Sequence, residues 1–237
     1  MRDVLATILT VLITAFMGTV ALFSYLFGHR YGALCTRYWA RSILWILGIR
    51  ADVSGREHVG SGPYVVVANH SSMLDIPVLA AHVPVIFHFV SRPFFFKVPF
   101  MGWGMTAAGH ISIERGNARE AAKTLEGFTK RFEKGMSVCL FPEGTRSPDG
   151  TVQRYKRGPF LSAVDNEVPI LPVALGGVAA RLPKGRKLPH PGRIAVTFGP
   201  AMETKGKDQR ATKQIARELE AWTRETISGA PLPTEPS

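Results

Sequence analysis

Two hydrophobic rhythms divide the chain. From Val4 to Gly28 no charged residue interrupts 25 positions. At about 1.5 Å per residue, a helix of that length crosses a hydrocarbon layer of roughly 30 Å. A signal peptide has a shorter apolar core, about 7–15 residues, behind a basic start and before a small-residue cleavage site. Met1-Arg2-Asp3 and the stretch SYLFGHRYG from Ser24 fit neither requirement, so a retained membrane segment is expected. Over Gly28–Arg50 a second pattern follows. Arg30, Arg37 and Arg41 share one helical face at spacings of seven and four, and Trp39, Ile43, Ile46 and Leu47 take the opposite one. Such a helix suits the headgroup boundary of a membrane or docks on the protein's own core. Its place directly after the apolar run favours the boundary.

Beyond Arg50 the rhythm becomes short, apolar, β-branched runs alternating with helical stretches. Tyr64–Ala68, Val85–Val90, His110–Ile113, Ser137–Phe141, Ile170–Leu175 and Ile194–Phe198 read as strands buried on both faces. Helices are expected after Asp75, over Ala118–Lys134 with the stripe Ala122, Leu125, Phe128 and Phe132 and a stop at Gly135, over Pro159–Asp165, and over Asp208–Ile227. The pattern predicts one α/β domain at 51–228, with a mostly parallel or mixed central sheet flanked by helices. A membrane-associated helical pair at 1–50 precedes it, and a disordered tail, 229–237, follows.

Charge changes the picture next. Lysine and arginine outnumber acids 29 to 18, for a net charge of +11. That balance asks for an anionic partner: nucleic acid, a membrane surface or a phosphorylated substrate. The apolar amino terminus argues against nucleic acid and for membrane lipids. Because the arginines follow the apolar run, the body of the chain is expected on the cytoplasmic face of the inner (plasma) membrane. The two cysteines, Cys35 and Cys139, have neither metal-ligand nor disulfide spacing, which fits a reducing compartment.

In an open α/β sheet, ligands bind beyond the carboxyl ends of the strands, and the polar clusters fall there. The first strand runs into NHSSMLD, the third into IERGN and the fourth into FPEGTRS. An imidazole at His70 could take a proton from a hydroxyl near neutral pH, with Asp75 fixing its tautomer and stabilising the imidazolium. Five residues apart on a continuous helix the two would point about 140° apart, so the chain must turn between them. Pro77 places the helix start near Asp75, where Ser72 and Asp75 read equally well as a capping box. Ser71 directly follows His70 and lacks a G-x-S-x-G setting, which argues against a serine nucleophile. H-E-x-x-H and Walker A patterns are absent, and neither a metal nor a cofactor is expected. A base without an enzyme nucleophile implies direct attack by a substrate hydroxyl.

In FPEGTRS, Gly144 permits close backbone approach, Thr145 and Arg146 offer donors to a phosphate, and Glu143 could hold substrate hydroxyls or the local arginines. Arg115, Arg92 and Lys97 are further cationic candidates. The run of Phe94, Phe95, Phe96, Phe100, Met101, Trp103 and Met105 could line an acyl-chain groove, dip into a membrane surface or belong to the core.

Over Tyr64–Val173 the chain resembles the 1-acyl-sn-glycerol-3-phosphate acyltransferase family of glycerolipid acyltransferases. NHSSMLD matches its N-H-x-x-x-x-D block, GHISIERG its second block, FPEGTRS its third in full and VPILPVAL its fourth. H-x-x-x-x-D alone is weak; paired with F-P-E-G-T-R it is highly specific. The resemblance implies that His70 is the base and Asp75 its orienting acid. It also implies that Arg115, Glu143, Gly144, Thr145 and Arg146 help bind the glycerol phosphate, with Arg92 where the family carries a lysine. Lysophosphatidate would be the acceptor, and an acyl-CoA or acyl carrier protein thioester the donor. Another lysolipid, such as a lyso-aminolipid, is the nearest alternative acceptor. A non-catalytic anionic-lipid-binding protein is the alternative outside the class.

Overall fold

Seven strands form one mixed sheet in a computed structural model that describes residues 2–113, 126–186 and 188–229. The strands are β1 (Ile49–Ser54), β2 (Val65–Ala68), β3 (Phe87–Ser91), β4 (Ile111–Ser112), β5 (Ser137–Leu140), β6 (Ile170–Gly176) and β7 (Gly192–Phe198), in the spatial order β1-β7-β6-β2-β5-β3-β4. β6, β2, β5, β3 and β4 are mutually parallel, whereas β7 runs antiparallel to β6 and pairs in parallel with β1. The edge strand β1 went unanticipated. Its IRADVS alternates apolar and charged positions, as a strand half open to solvent does, and carries no continuous apolar run.

The helices are α1 (Arg2–Ser24), α2 (His29–Ile46), α3 (Asp75–His82), α4 (Pro93–Phe96), α5 (Met101–Ala107), α6 (described over 126–132), α7 (Gly158–Asp165), α8 (Val178–Arg181) and α9 (Thr212–Gly229). They cover both faces of the sheet, and the pleat of β2 shows how. Val66 and Ala68 face a core completed by Leu44 of α2, Val78 and Leu79 of α3 and Val178 of α8. Val65 and Val67 face Phe128 and Phe132 of α6, Phe160 of α7 and Ile215 and Leu219 of α9. All four β2 residues are at most 2% exposed, so burial fixes the register and leaves the next residues to emerge at the carboxyl edge. Cys139 sits in this core, where burial raises its thiol pKa. Residues 118–125 of the expected Ala118–Lys134 helix and the tail from 230 lie outside the described residues.

The amino-terminal helices differ from the expectation in one respect. α1 is the one helix among the described residues long and apolar enough, by length and composition, to cross a membrane. Only Gly18 and Ala21 of it are buried, and Val4, Val11, Phe16 and Phe23 are more than half exposed. α2 follows after a short turn and docks on the protein. Ala40, Ile43 and Leu44 are buried, Trp39 Nε1 donates to Thr14 Oγ1 of α1 (3.0 Å), and Arg37 Nη2 donates to the carbonyls of Val83, Pro84 and Val85 at the end of α3. Arg37 therefore ties α2 to the loop that leaves α3, not to lipid headgroups. The exposed stripe of α2 is Tyr31, Leu34, Tyr38 and Trp45; the side chain of Arg30 lies outside the description. The apolar run after β3 breaks into α4 and α5, with α5 against α1. A Cβ at Gly18 would fall 2.3 Å from the Phe100 carbonyl oxygen, so only glycine admits that approach. Phe94, Phe100 and Trp103 remain exposed.

Candidate active site

The chain turns sharply after β2, and this turn brings His70 back to Asp75. Asn69 prolongs the ladder with β6: its amide donates to Leu175 O (3.1 Å) and its side-chain oxygen accepts from Leu175 N (2.8 Å). That pairing fixes the residue before His70. Asp75 then opens α3 with no exposed surface. Its Oδ2 accepts from Ser71 N (2.7 Å) and Ser72 N (2.8 Å) and lies 2.8 Å from His70 Nδ1. Capping and catalytic readings of Asp75 are thus compatible: one oxygen ties the turn and holds the ring. With Nδ1 engaged, Nε2 is the ring nitrogen left for chemistry, on a side chain 16% exposed. Phe141 stacks on the imidazole, centroids 4.0 Å apart and planes 16° apart. Ser71 N–H is spent on Asp75, and among the described residues no hydroxyl of the chain bonds to His70.

The loop after β5 buttresses this turn. Glu143 Oε1 accepts from His70 N (2.9 Å), and Ser147 N donates to His70 O (2.8 Å), so both backbone groups of His70 are held by the adjacent strand end. Glu143 is 3% exposed, and burial raises its pKa to about 7 against the hydrogen bonds from His70 N and Gln153 N, which lower it. It faces inward, onto the backbone of the histidine; the sequence had offered it to substrate hydroxyls or the local arginines. Gly144 follows at φ 74°, a conformation glycine adopts freely. A Cβ there would also meet Lys156 Nζ at 2.9 Å.

The cations divide by position. Arg146 is half-buried beside this loop and Arg92 is exposed at the end of β3; Thr145 is exposed between the loop's two charges. Neither arginine has a hydrogen-bond or ion-pair partner among the described residues. Arg115 lies outside the described residues. Lys97 is exposed at the end of α4. Lys156 went unnoticed in the sequence. Its N–H donates to Pro142 O (2.9 Å) and its ammonium lies over Gly144, so it adds a third cation beside Arg146. The signal for it was a lysine in a basic run, YKRG, which reads as a solvated turn.

A carboxylate-oriented imidazole thus sits at the carboxyl edge of an α/β sheet with unpartnered cations nearby, an arrangement that can take a proton from a hydroxyl. A sequence model of the Acyltransferase family matches residues 50–176, more than half of the chain. The chain belongs to the acyltransferase family. It is 32% identical over 195 residues to a Pseudomonas aeruginosa 1-acyl-sn-glycerol-3-phosphate acyltransferase, covering 80% of this chain and 75% of that protein. With the chloroplastic 1-acyl-sn-glycerol-3-phosphate acyltransferase BAT2 of Brassica napus it shares 36% identity over 57% of this chain and 40% of that longer protein. The crystal structure of the 1-acyl-sn-glycerophosphate acyltransferase PlsC from Thermotoga maritima superposes with a TM-score of 0.79 over 97% of each chain, at 25% identity.

Proposed function

We propose that the enzyme transfers a fatty acyl chain from an acyl thioester to the sn-2 hydroxyl of lysophosphatidate, giving phosphatidate. The contact that carries this reading is His70 Nδ1 to Asp75 Oδ2 at 2.8 Å, with unpaired Arg146 on the neighbouring strand end. Asp75 holds the ring with Nδ1 donating, so Nε2 presents its lone pair. The acceptor hydroxyl gives its proton to Nε2 as its oxygen attacks the thioester carbonyl carbon. Asp75 stabilises the imidazolium that forms. The carbon–sulfur bond then breaks, the departing thiolate takes the proton back from Nε2, and phosphatidate and a free thiol leave. Arg146, with Arg92, Lys156 and by resemblance Arg115, would grip the phosphate and convert its binding into proximity. Glu143 acts from behind, holding the His70 backbone.

α1 would lie in the membrane, since Val4, Val11, Phe16 and Phe23 are more than half exposed and water contact costs about 1.5–3 kcal/mol for each large apolar side chain. The catalytic edge would then face the cytoplasm. The test is acyl transfer by purified protein over a panel of lysolipids, with coenzyme A and acyl carrier protein thioesters as donors and products read by mass spectrometry. Lysophosphatidate is expected to be the preferred acceptor. Preference for a phosphate-free lysolipid would overturn the assignment.

A further inference from the structure

A second cationic arm lies on the other side of His70. β6 is parallel to β2, so its carboxyl end meets the catalytic edge, and α8 follows directly from it. β7 is antiparallel to β6 and β1 is parallel to β7, so both begin at that same edge, with Ile49 opposite Gly192. Arg50, Arg181, His190 and Arg193 consequently converge there. With Gly48, Ala180, Pro191 and Gly192 they line an open cleft of about 750 Å³, a size typical of small-molecule sites.

Two of these cations build the cleft. Arg181 donates to Pro191 O (3.1 Å) and Arg193 O (3.3 Å), and Arg193 Nε donates to Asp52 Oδ2 (3.0 Å). The other two, Arg50 and His190, are exposed, and their side chains have no hydrogen-bond partner among the described residues. Among these described residues Asp52 is the one acid, so they keep a positive balance. The cleft is also tied to the catalytic turn: Ser72 Oγ donates to Leu182 O (2.9 Å), the residue after Arg181.

We propose that this cleft binds the phosphates of the acyl donor, a coenzyme A thioester. The proposal rests on the acyl-transfer reading and extends it. Both substrates of that reaction carry phosphate, and one base must meet a hydroxyl from one and a thioester from the other. Cations beyond the ends of β5 and β3 take the acceptor's phosphate, and cations of α8, of β1 and of the start of β7 take the donor's. The flexible pantetheine arm connects the cleft to the thioester at His70. A lipid headgroup offers the same phosphate chemistry, but a cleft tied to the catalytic turn suits a ligand that must reach His70.

The test uses the full-length protein carrying Arg50→Ala and His190→Ala, positions whose side chains hold no part of the fold. KM is measured for acyl-CoA and for the same acyl chain on pantetheine, which lacks phosphate. The expected result is a rise of about tenfold or more in KM for acyl-CoA. The KM for lysophosphatidate and the rates with acyl-pantetheine should not move, and Arg50→Lys should be milder than Arg50→Ala. An unchanged KM for acyl-CoA overturns the proposal. So do equal losses with acyl-pantetheine, weaker binding to anionic vesicles with unaltered donor kinetics, or a wild-type enzyme that uses acyl carrier protein thioesters alone. Wild-type transfer to lysophosphatidate is measured in the same experiment, so failure of the acyl-transfer reading itself is seen separately.

Discussion

Glu143 carries a pH dependence that its position dictates. Burial raises its pKa from 4.5 to about 7, so between those values the folded protein holds a proton that the unfolded chain has released. With more protons bound in the native state, stability falls as pH rises through that window. The loss amounts to on the order of 3 kcal/mol at about 1.4 kcal/mol per pH unit. Glu143→Gln keeps an oxygen for His70 N–H and has no charge to bury. Its urea midpoint should therefore change less than that of the parent between pH 5 and pH 8; parallel curves would mean that Glu143 is ionised in the fold at low pH. Arg146 acts on the other side of the same loop. Arg146→Ala should lower the acceptor's specificity constant by roughly 1.5–3 kcal/mol, the worth of a charge-assisted hydrogen bond. Arg146→Lys should recover part of this, since an ammonium lacks the planar fork. Kinetics with a phosphate-free lysolipid decide: equal losses would take Arg146 away from the phosphate. The sequence made it legible that the chain turns to bring His70 and Asp75 together, because Pro77 and the residues between them mark a helix start. It could not show that Glu143 points inward or that Lys156 lies over Gly144, since both depend on how two strand ends meet.

At the scale of elements, the sheet was legible wherever strands are buried on both faces. β2, β5 and β6 are continuous apolar runs, and burial leaves them no other register. β1 was not legible, because an edge strand shares its alternation with ordinary surface segments. α2 misled for a related reason. Arginines on one face and aromatics on another look alike at a lipid boundary and on a protein core, and the partner of Arg37 is three carbonyls more than forty residues away. The docking of α2 separates two truncations. A chain beginning at Gly28 loses α1 and should leave the membrane fraction while keeping its sheet. A chain beginning at Ala51 also loses Ala40, Ile43 and Leu44 from the core and the first two residues of β1, and should fail to fold. Membrane sedimentation with far-UV circular dichroism checks both; persistent sedimentation of a folded chain from Gly28 would place the anchor outside α1.

For the whole molecule, the mixed sheet sets the site's plan. Reversal of β7 and β1 brings their starts to the edge where β2, β5 and β3 end, so cations gather on both sides of one imidazole. α1 stands against α2 and α5 with its apolar side open, which would hold that edge near the lipid pool from which an acceptor comes. The net charge of +11 fits the same orientation toward an anionic surface. Removal of the acceptor's proton by His70, held by Asp75, is the step on which the proposed activity rests. It is tested by steady-state phosphatidate formation and thiol release for the parent, His70→Ala and Asp75→Asn, each first shown to keep the parent's thermal unfolding cooperativity. A loss of about 100- to 10,000-fold is expected for His70→Ala, with an intermediate loss for Asp75→Asn. Near-parental turnover by a folded His70→Ala protein would contradict that step.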